Sequence, residues 1–343
     1  MRRNLLMSAA AVVIVAAAVG FVLSAALPAV ATEPTAKWCE GVKIAAFTGG
    51  WEPEMLDRLS TTIYNGYAQA AADLGPTATY YFSHWDADRI ASDLKTAVGA
   101  KVDGVAFIGL PGDAKVDALI DQAVAQGTIV TTMDVALPEA QKKYANQGMG
   151  YVGASNYAVG VALANEAAKR AGLKAGDSVF VWGDKYVGGD LAQRATGVVD
   201  AFEKLGAKVI YQDVDPALVH GGGKPMKDFA DFMAANPDVK IVVPEGGMLT
   251  SGVYNLALMA GLRPGQVFFA GFDLSPSAVG AIKEGYLNFV FDQQPYLQGY
   301  LSILNICLTK KFGFSGLNVD TTGAFVDSSN VDAVAPLVAK QIR

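Results

Sequence analysis

From Val42 onward the chain alternates short, continuously apolar runs with longer amphipathic segments. "VKIAAF" leads into "MLDRLSTTIYNGYAQAAADLG", "ATYYFS" into "DADRIASDLKTAVGA", and "DGVAFIGL" into "DAKVDALIDQAVAQG". "TIVTTMD" closes this first series. The pattern restarts at "YVGA" and "NYAVGVALANEAAKRAG", then "DSVFVWG", "AKVIYQDV", "VKIVVPE" and "QVFFAGFD", each followed by a helical segment. Runs that are apolar throughout are buried on both faces, as strands of a parallel sheet are. Their alternation with helices of about ten or more residues is the signature of βαβ units. The expected fold is therefore α/β, two doubly wound parallel-sheet lobes. Helix ends agree: Gly75, Gly127, Gly172, Gly206, Gly261 and Gly285 each follow a helix, where a left-handed residue is wanted. Ser275-Pro276 reads as an N-cap with proline in the first turn.

Length fits two lobes of about 150 residues each. The hydrophobic share, 52% against 17% charged, describes a well-cored globular protein. Part of the excess is local. Residues 1–31 read Arg2-Arg3, an apolar stretch, then Ala29-Val30-Ala31. That is the pattern of a secretory signal peptide, with cleavage predicted before Thr32. The alternative is an uncleaved membrane anchor, because the run is near spanning length. Cleavage removes two arginines and no acid, moving the formal net charge from −6 to −8. No basic tract stands out, so nucleic acid is not an expected partner. In an oxidising compartment Cys39 and Cys307 either form one disulfide or stay as two partly buried thiols. Trp38 directly before Cys39 does not suit a lipoprotein cleavage site.

Two motifs invite a cofactor and do not support one. "GMGYVG", residues 148–153, matches G-x-G-x-x-G, but it follows a polar segment, and its later glycines flank or lie in a strand. "HGGGKP", residues 220–225, lacks the spacing and the Lys-Ser/Thr pair of a phosphate loop. With only His84 and His220, neither a Ser-His-acid triad nor a zinc cluster is apparent. No cofactor, metal or catalytic residue is expected.

In open parallel sheets, ligands bind beyond the carboxyl ends of the strands. Residues at those ends include Trp51 and Glu52, Asp134, Asn156, Asp184, Glu245 and Asp273, with Arg194 in the helix after Gly183. Each has a plain alternative. The aspartates cap turns, Asn156 caps a helix, Trp51 packs in the core, or Arg194 lies on a solvated face. Together they supply carboxylates, an amide, an arginine and a ring to one cleft. That set suits a neutral polyhydroxyl ligand: carboxylates accept from hydroxyls, arginine donates through its fork, and rings cover C–H faces.

At this point a resemblance is plain. "IVTTMD", "YVGASNYAVG", "QRATGVVDAF", "FFAGFD", "FDQQPYLQGY" and "TTGAFVDSSNVD" resemble the ribose-binding type of periplasmic sugar-binding protein (type I) of ABC importers. The likeness runs from about Lys43 to Val331, and G-F-D and Q-x-P-x-x-x-G are its most specific elements. It implies a three-segment hinge. One lobe would hold residues 40–153 with 294–315, and the other 154–292 with 316–343. It also implies that Asp134 and Asp273 accept from sugar hydroxyls and that Arg194 donates to the ring oxygen or hydroxyls. Gln293 would flex at the hinge and bond the ligand, with Trp51 and Asn156 near further contact positions. Gln294, before Pro295, is expected to be extended. Gln294 and Tyr296 would be structural.

Two departures matter. Glu245-Gly246-Gly247 stands where the family commonly has Asn-Asp, and Val135 follows Asp134 where some relatives carry an arginine. One donor lost and one acceptor gained favour a ligand richer in donor hydroxyls, a polyol or differently configured monosaccharide. The expected function is binding: a periplasmic monomer captures the sugar by lobe closure and hands it to an inner-membrane ABC permease. The alternatives are a periplasmic sugar sensor that presents ligand to a receptor and, third, a secreted carbohydrate-active enzyme. A lactose-repressor-type regulator shares the core, but a leader occupies the place of its helix-turn-helix.

Overall fold

The computed structural model describes residues 37–55, 58–215 and 225–343. The signal peptide expected over residues 1–31 and most of the loop at 220–225 lie outside the described residues. The described residues form two six-stranded sheets.

The first sheet contains β1 (Lys43–Phe47), β2 (Thr77–Tyr81), β3 (Gly104–Ile108), β4 (Ile129–Met133) and β5 (Gly150–Gly153). Between them run α1 (Arg58–Leu74), α2 (Ala87–Gly99), α3 (Asp113–Ala125) and α4 (Pro138–Tyr144). The second sheet begins after α5 (Asn156–Ala171) with β6 (Ser178–Gly183), α6 (Ala192–Lys204) and β7 (Lys208–Asp213). It continues through α7 (Pro225–Ala235), β8 (Val239–Pro244), α8 (Gly247–Ser251), α9 (Val253–Met259), β9 (Phe268–Phe272), α10 (Pro276–Lys283) and β10 (Phe289–Phe291). The chain then returns to the first lobe as α11 (Pro295–Phe312) and β11 (Asn318–Asp320), and crosses again to β12 (Phe325–Asp327) and α12 (Val331–Ala339).

Strand order is β11-β5-β4-β3-β1-β2 in one sheet and β12-β10-β9-β8-β6-β7 in the other. The pairings are parallel except β10 with β12. Central strands such as β3 are buried at every position, whereas the edge strands β2 and β7 are half-exposed. Apolar clusters fill both faces of each sheet. All six helix-ending glycines have positive φ, and the Ser275 hydroxyl accepts from the Ala278 N–H at 3.0 Å.

Helix packing explains two motifs that periodicity leaves open. A Cβ on Gly299 of α11 would lie 2.2 Å from the Ile63 carbonyl oxygen, and one on Gly66 of α1 would lie 2.1 Å from that of Tyr296. The second lobe repeats the device. Gly160 of α5 faces the Arg194 carbonyl and Gly197 of α6 faces that of Tyr157, at 2.2 and 2.3 Å. The glycines of "QQPYLQGY" and "RATG" are where helix backbones touch.

Three chain segments cross between the lobes, after β5, after β10 and after β11. They are tied to one another. Thr321 N–H donates to the Gly153 carbonyl (3.1 Å), Gln294 Nε2 to the Thr321 carbonyl (3.3 Å) and Gln298 Nε2 to Thr321 Oγ1 (3.3 Å).

Two expectations need correcting here. β11, within the residues expected in the second lobe, pairs with β5 of the first sheet, so the last crossing follows Asp320. Gln294 is not extended: its φ and ψ are 56° and 54°. Asp292 Oδ1 accepts from the Gln294 N–H at 2.9 Å, an Asx turn that overrides the steric preference before proline. Cys39 and Cys307 form a disulfide with Cα atoms 5.6 Å apart.

Candidate functional site

Two aspartates mark matching places in the two lobes. β4 ends at Met133 and β9 at Phe272, and the next residues, Asp134 and Asp273, both take left-handed backbone, with φ of 58° and 70°. Aspartate tolerates this region better than most residues. Each turn is fixed by one bond to a neighbouring strand: Asp134 N–H donates to the Val152 carbonyl (3.1 Å) and Asp273 N–H to the Phe291 carbonyl (2.9 Å).

Around Asp273 the contacts are polar and close. Gln293 is buried at the second crossing, and its Nε2 donates to Asp273 Oδ1 at 2.7 Å. Gln298 Nε2 donates in turn to the Gln293 carbonyl (3.2 Å). A Cβ on Gly247 would sit 2.7 Å from Asp273 Oδ2, so the glycine after Gly246 leaves room for that carboxylate.

Arg194 projects from α6 and Glu245 follows β8, and both are buried. Arg194 Nε donates to Glu245 Oε1, and its guanidinium carbon lies 4.8 Å from the centre of the Phe272 ring. Burial works against the Arg194 charge, but Glu245, Asp184 and Asp273 outweigh it and raise its pKa. Burial raises the Glu245 carboxyl, and Asp184 adds to the rise against the pull of Arg194. Asp184 Oδ1 and Glu245 Oε2 are both buried and find no donor among the described residues. Asp134 is pushed up to about 6, by burial first and then by Asp273 and Asp190, with Arg194 opposing. An electrostatic group thus spans both lobes: Asp134 from the first; Asp184, Arg194, Glu245 and Asp273 from the second.

The remaining sequence-predicted residues stand differently. Asn156 is buried at the start of α5, where its Nδ2 donates to Asp190 Oδ2 at 2.7 Å. Trp51 and Glu52 form a group of their own. The Trp51 ring stacks on His84 with centroids 4.0 Å apart, and His84 Nε2 lies 3.0 Å from Glu52 Oε2. Arg89 Nη1 donates to His84 Nδ1 at 2.9 Å, which leaves Nε2 to carry the hydrogen toward Glu52. The backbone N–H of Glu52 and the His84 side chain hold the Glu52 carboxyl below its ordinary range. Asp190 and His84 were missed. Neither follows a strand directly, and only the folded loops bring them to their partners.

With this geometry in hand, comparison with known proteins is decisive for the family. A family model for the periplasmic binding protein domain matches residues 57–307. The chain belongs to the periplasmic binding protein family. The first two relatives below carry sugar-binding or carbohydrate-transporter names.

A xylose/arabinose-binding protein of Sulfolobus acidocaldarius is 26% identical over 256 residues, 72% of this chain. The match spans 62% of that relative's length. A carbohydrate transporter from Acidothermus cellulolyticus 11B, solved in complex with myo-inositol, is 26% identical with a TM-score of 0.73, covering 88% of this chain and 99% of that one. An ABC transporter solute-binding protein from Burkholderia graminis C4D1M, in complex with D-arabinose, shares the fold at 18% identity. Its TM-score is 0.73, and the match covers 85% of this chain and 97% of that one. These neighbours are type I periplasmic binding proteins in architecture, as the two parallel-dominated sheets are here.

Proposed function

We propose that this protein is the periplasmic substrate-binding component of an ABC importer. It captures a monosaccharide or cyclic polyol between the lobes and delivers it to a membrane permease. The observation that carries this reading is the pairing of Asp134 and Asp273, matched strand-end carboxylates of the two lobes that sense one another and Arg194.

A ligand between them takes acceptors from both lobes at once. Its contacts then favour the closed form by their differential affinity, which is how binding drives hinge closure. Asp134, Asp184 and Asp273 accept from hydroxyls, Arg194 donates, and Gln293 serves hinge and ligand together. Trp51 and Glu52 line the first-lobe rim beside His84, with Trp51 covering a C–H face of the ring, and Asn156 and Glu245 complete the second-lobe wall. The excess of acceptors favours a ligand rich in donor hydroxyls. The names of the Sulfolobus relative and of the myo-inositol complex support that class. The lobes run over residues 40–153 with 294–320 and 154–292 with 321–343. The protein acts as a monomer in the periplasm after its leader is removed.

A thermal-shift screen against pentoses, hexoses and cyclitols tests the reading, since a ligand that binds only the native state raises the melting temperature. Mass spectrometry of co-purified ligand gives an independent answer. Stabilisation by one sugar or polyol with no change in its mass is expected. No shift across the set, or chemical turnover of the bound sugar, overturns the proposal.

A further inference from the structure

The loop between β6 and α6, residues 184–191, contains a contact that the ligand-binding reading does not require. Tyr186, Val187, Gly188 and Gly189 are exposed, and the chain turns back inward at Asp190 and Leu191. Gly188 and Gly189 make that turn with φ of 68° and 61°. Asp190 stands one residue before Leu191, the N-cap of α6, and α6 has no side-chain cap bond. Asp190 Oδ2 instead accepts from the backbone N–H of Ala136 at 3.0 Å, as well as from Asn156 Nδ2 at 2.7 Å. Ala136 belongs to the first lobe, two residues after Asp134. Asn156 belongs to the second. One carboxylate oxygen therefore joins the lobes across the cleft.

The neighbouring residue does the same with apolar surface. Leu191 packs against the first-lobe cluster that contains Ile108, Met133 and Val135. A charge-assisted bond to a backbone N–H and an apolar plug, side by side, are two independent ties at one place. We propose that Asp190 and Leu191 form a closure latch that seats the second lobe on the first. Asp190 is a positioning residue. It holds Asn156 and the segment after Asp134 in one arrangement. The inference rests on the hinge-closure part of the reading above and not on the identity of the ligand.

Hydrogen exchange of the sugar-free, full-chain protein, read by mass spectrometry, tests the latch at the amide it engages. Asp190→Ala is expected to speed exchange at Ala136 by about tenfold or more, the size of a lost hydrogen bond to a charged acceptor. Leu191→Ala moves it in the same direction. Asp190→Asn, which keeps an acceptor oxygen, restores most of the protection. Small-angle scattering is expected to show a larger radius of gyration for Asp190→Ala than for the parent. Unchanged exchange at Ala136 in both alanine variants overturns the proposal. So does faster exchange spread evenly through β3 and β8, which marks general loosening. Because no sugar is present, failure of the sugar-binding reading leaves this result legible.

Discussion

Arg194 of α6 and Glu245, just after β8, form a buried ion pair, and the two partners are not equivalent. Arg194 also answers to Asp184 and Asp273, so removing it strands several carboxylates at once. Removing Glu245 leaves the arginine with two acidic neighbours. Arg194→Met is therefore expected to cost about 3–5 kcal/mol in urea unfolding, the range for breaking a buried pair, and Glu245→Gln clearly less. Equal losses would contradict this account.

Asp134 makes stability depend on pH in a definite direction. Its carboxyl is raised from 3.8 to about 6, so the native state holds the proton more tightly than the unfolded chain. The contribution is full below about pH 4 and is lost as pH rises through about 6, a total of about 3 kcal/mol. Asp134→Asn cannot lose a proton there. Its stability relative to the parent is expected to improve by about that amount between about pH 4 and pH 7.5, measured by denaturant unfolding at each pH. A pH-independent difference would argue against it.

The Cys39–Cys307 disulfide spans 268 residues and is buried at both ends. Cross-linking so long a loop restricts the unfolded chain strongly. The double variant Cys39→Ala, Cys307→Ala is expected to lose about 3–5 kcal/mol. Thermal melts of the parent and the variant, both without reductant, give the comparison.

Gly299 and Gly280 give a paired test of helix packing. Gly299→Ala drives a methyl into the Ile63 carbonyl and is expected to cost at least about 2 kcal/mol. Gly280, within α10, has nothing within 4 Å of its added Cβ, so Gly280→Ala is expected to be neutral or stabilising by up to about 1 kcal/mol. Equal melting temperatures for the two variants would refute the close-contact argument.

Gln293 donates to Asp273 from the second crossing, which couples hinge position to the carboxylate proposed to accept from the ligand. Gln293→Ala is expected to weaken sugar binding about tenfold or more, the scale of a hydrogen bond to a charged group. Calorimetric titration with myo-inositol and D-xylose, whichever binds the parent, measures it. Unchanged affinity would remove Gln293 from the site.

The apolar runs and their helical spacers are local patterns, so the two-lobed α/β fold was legible from residues such as those of β3 and β8. The strand-end rule likewise pointed to Asp134, Asp184, Glu245 and Asp273, because a parallel sheet presents its carboxyl ends together. Shorter elements were not legible. α4, β11 and β12 carry too few residues for a period, and β11 joins the first sheet only by pairing with β5. Gln294 took a conformation that its place before proline opposes, because the Asp292 side chain bonds its N–H. Sequence also left the disulfide open, since 268 residues separate the cysteines and only the packing of α11 brings them together. Asp190 shows the limit most clearly. Nothing in "GGDLAQR" distinguishes a helix cap from a tie across the cleft. That depends on which backbone N–H lies opposite, and only the tertiary structure supplies Ala136.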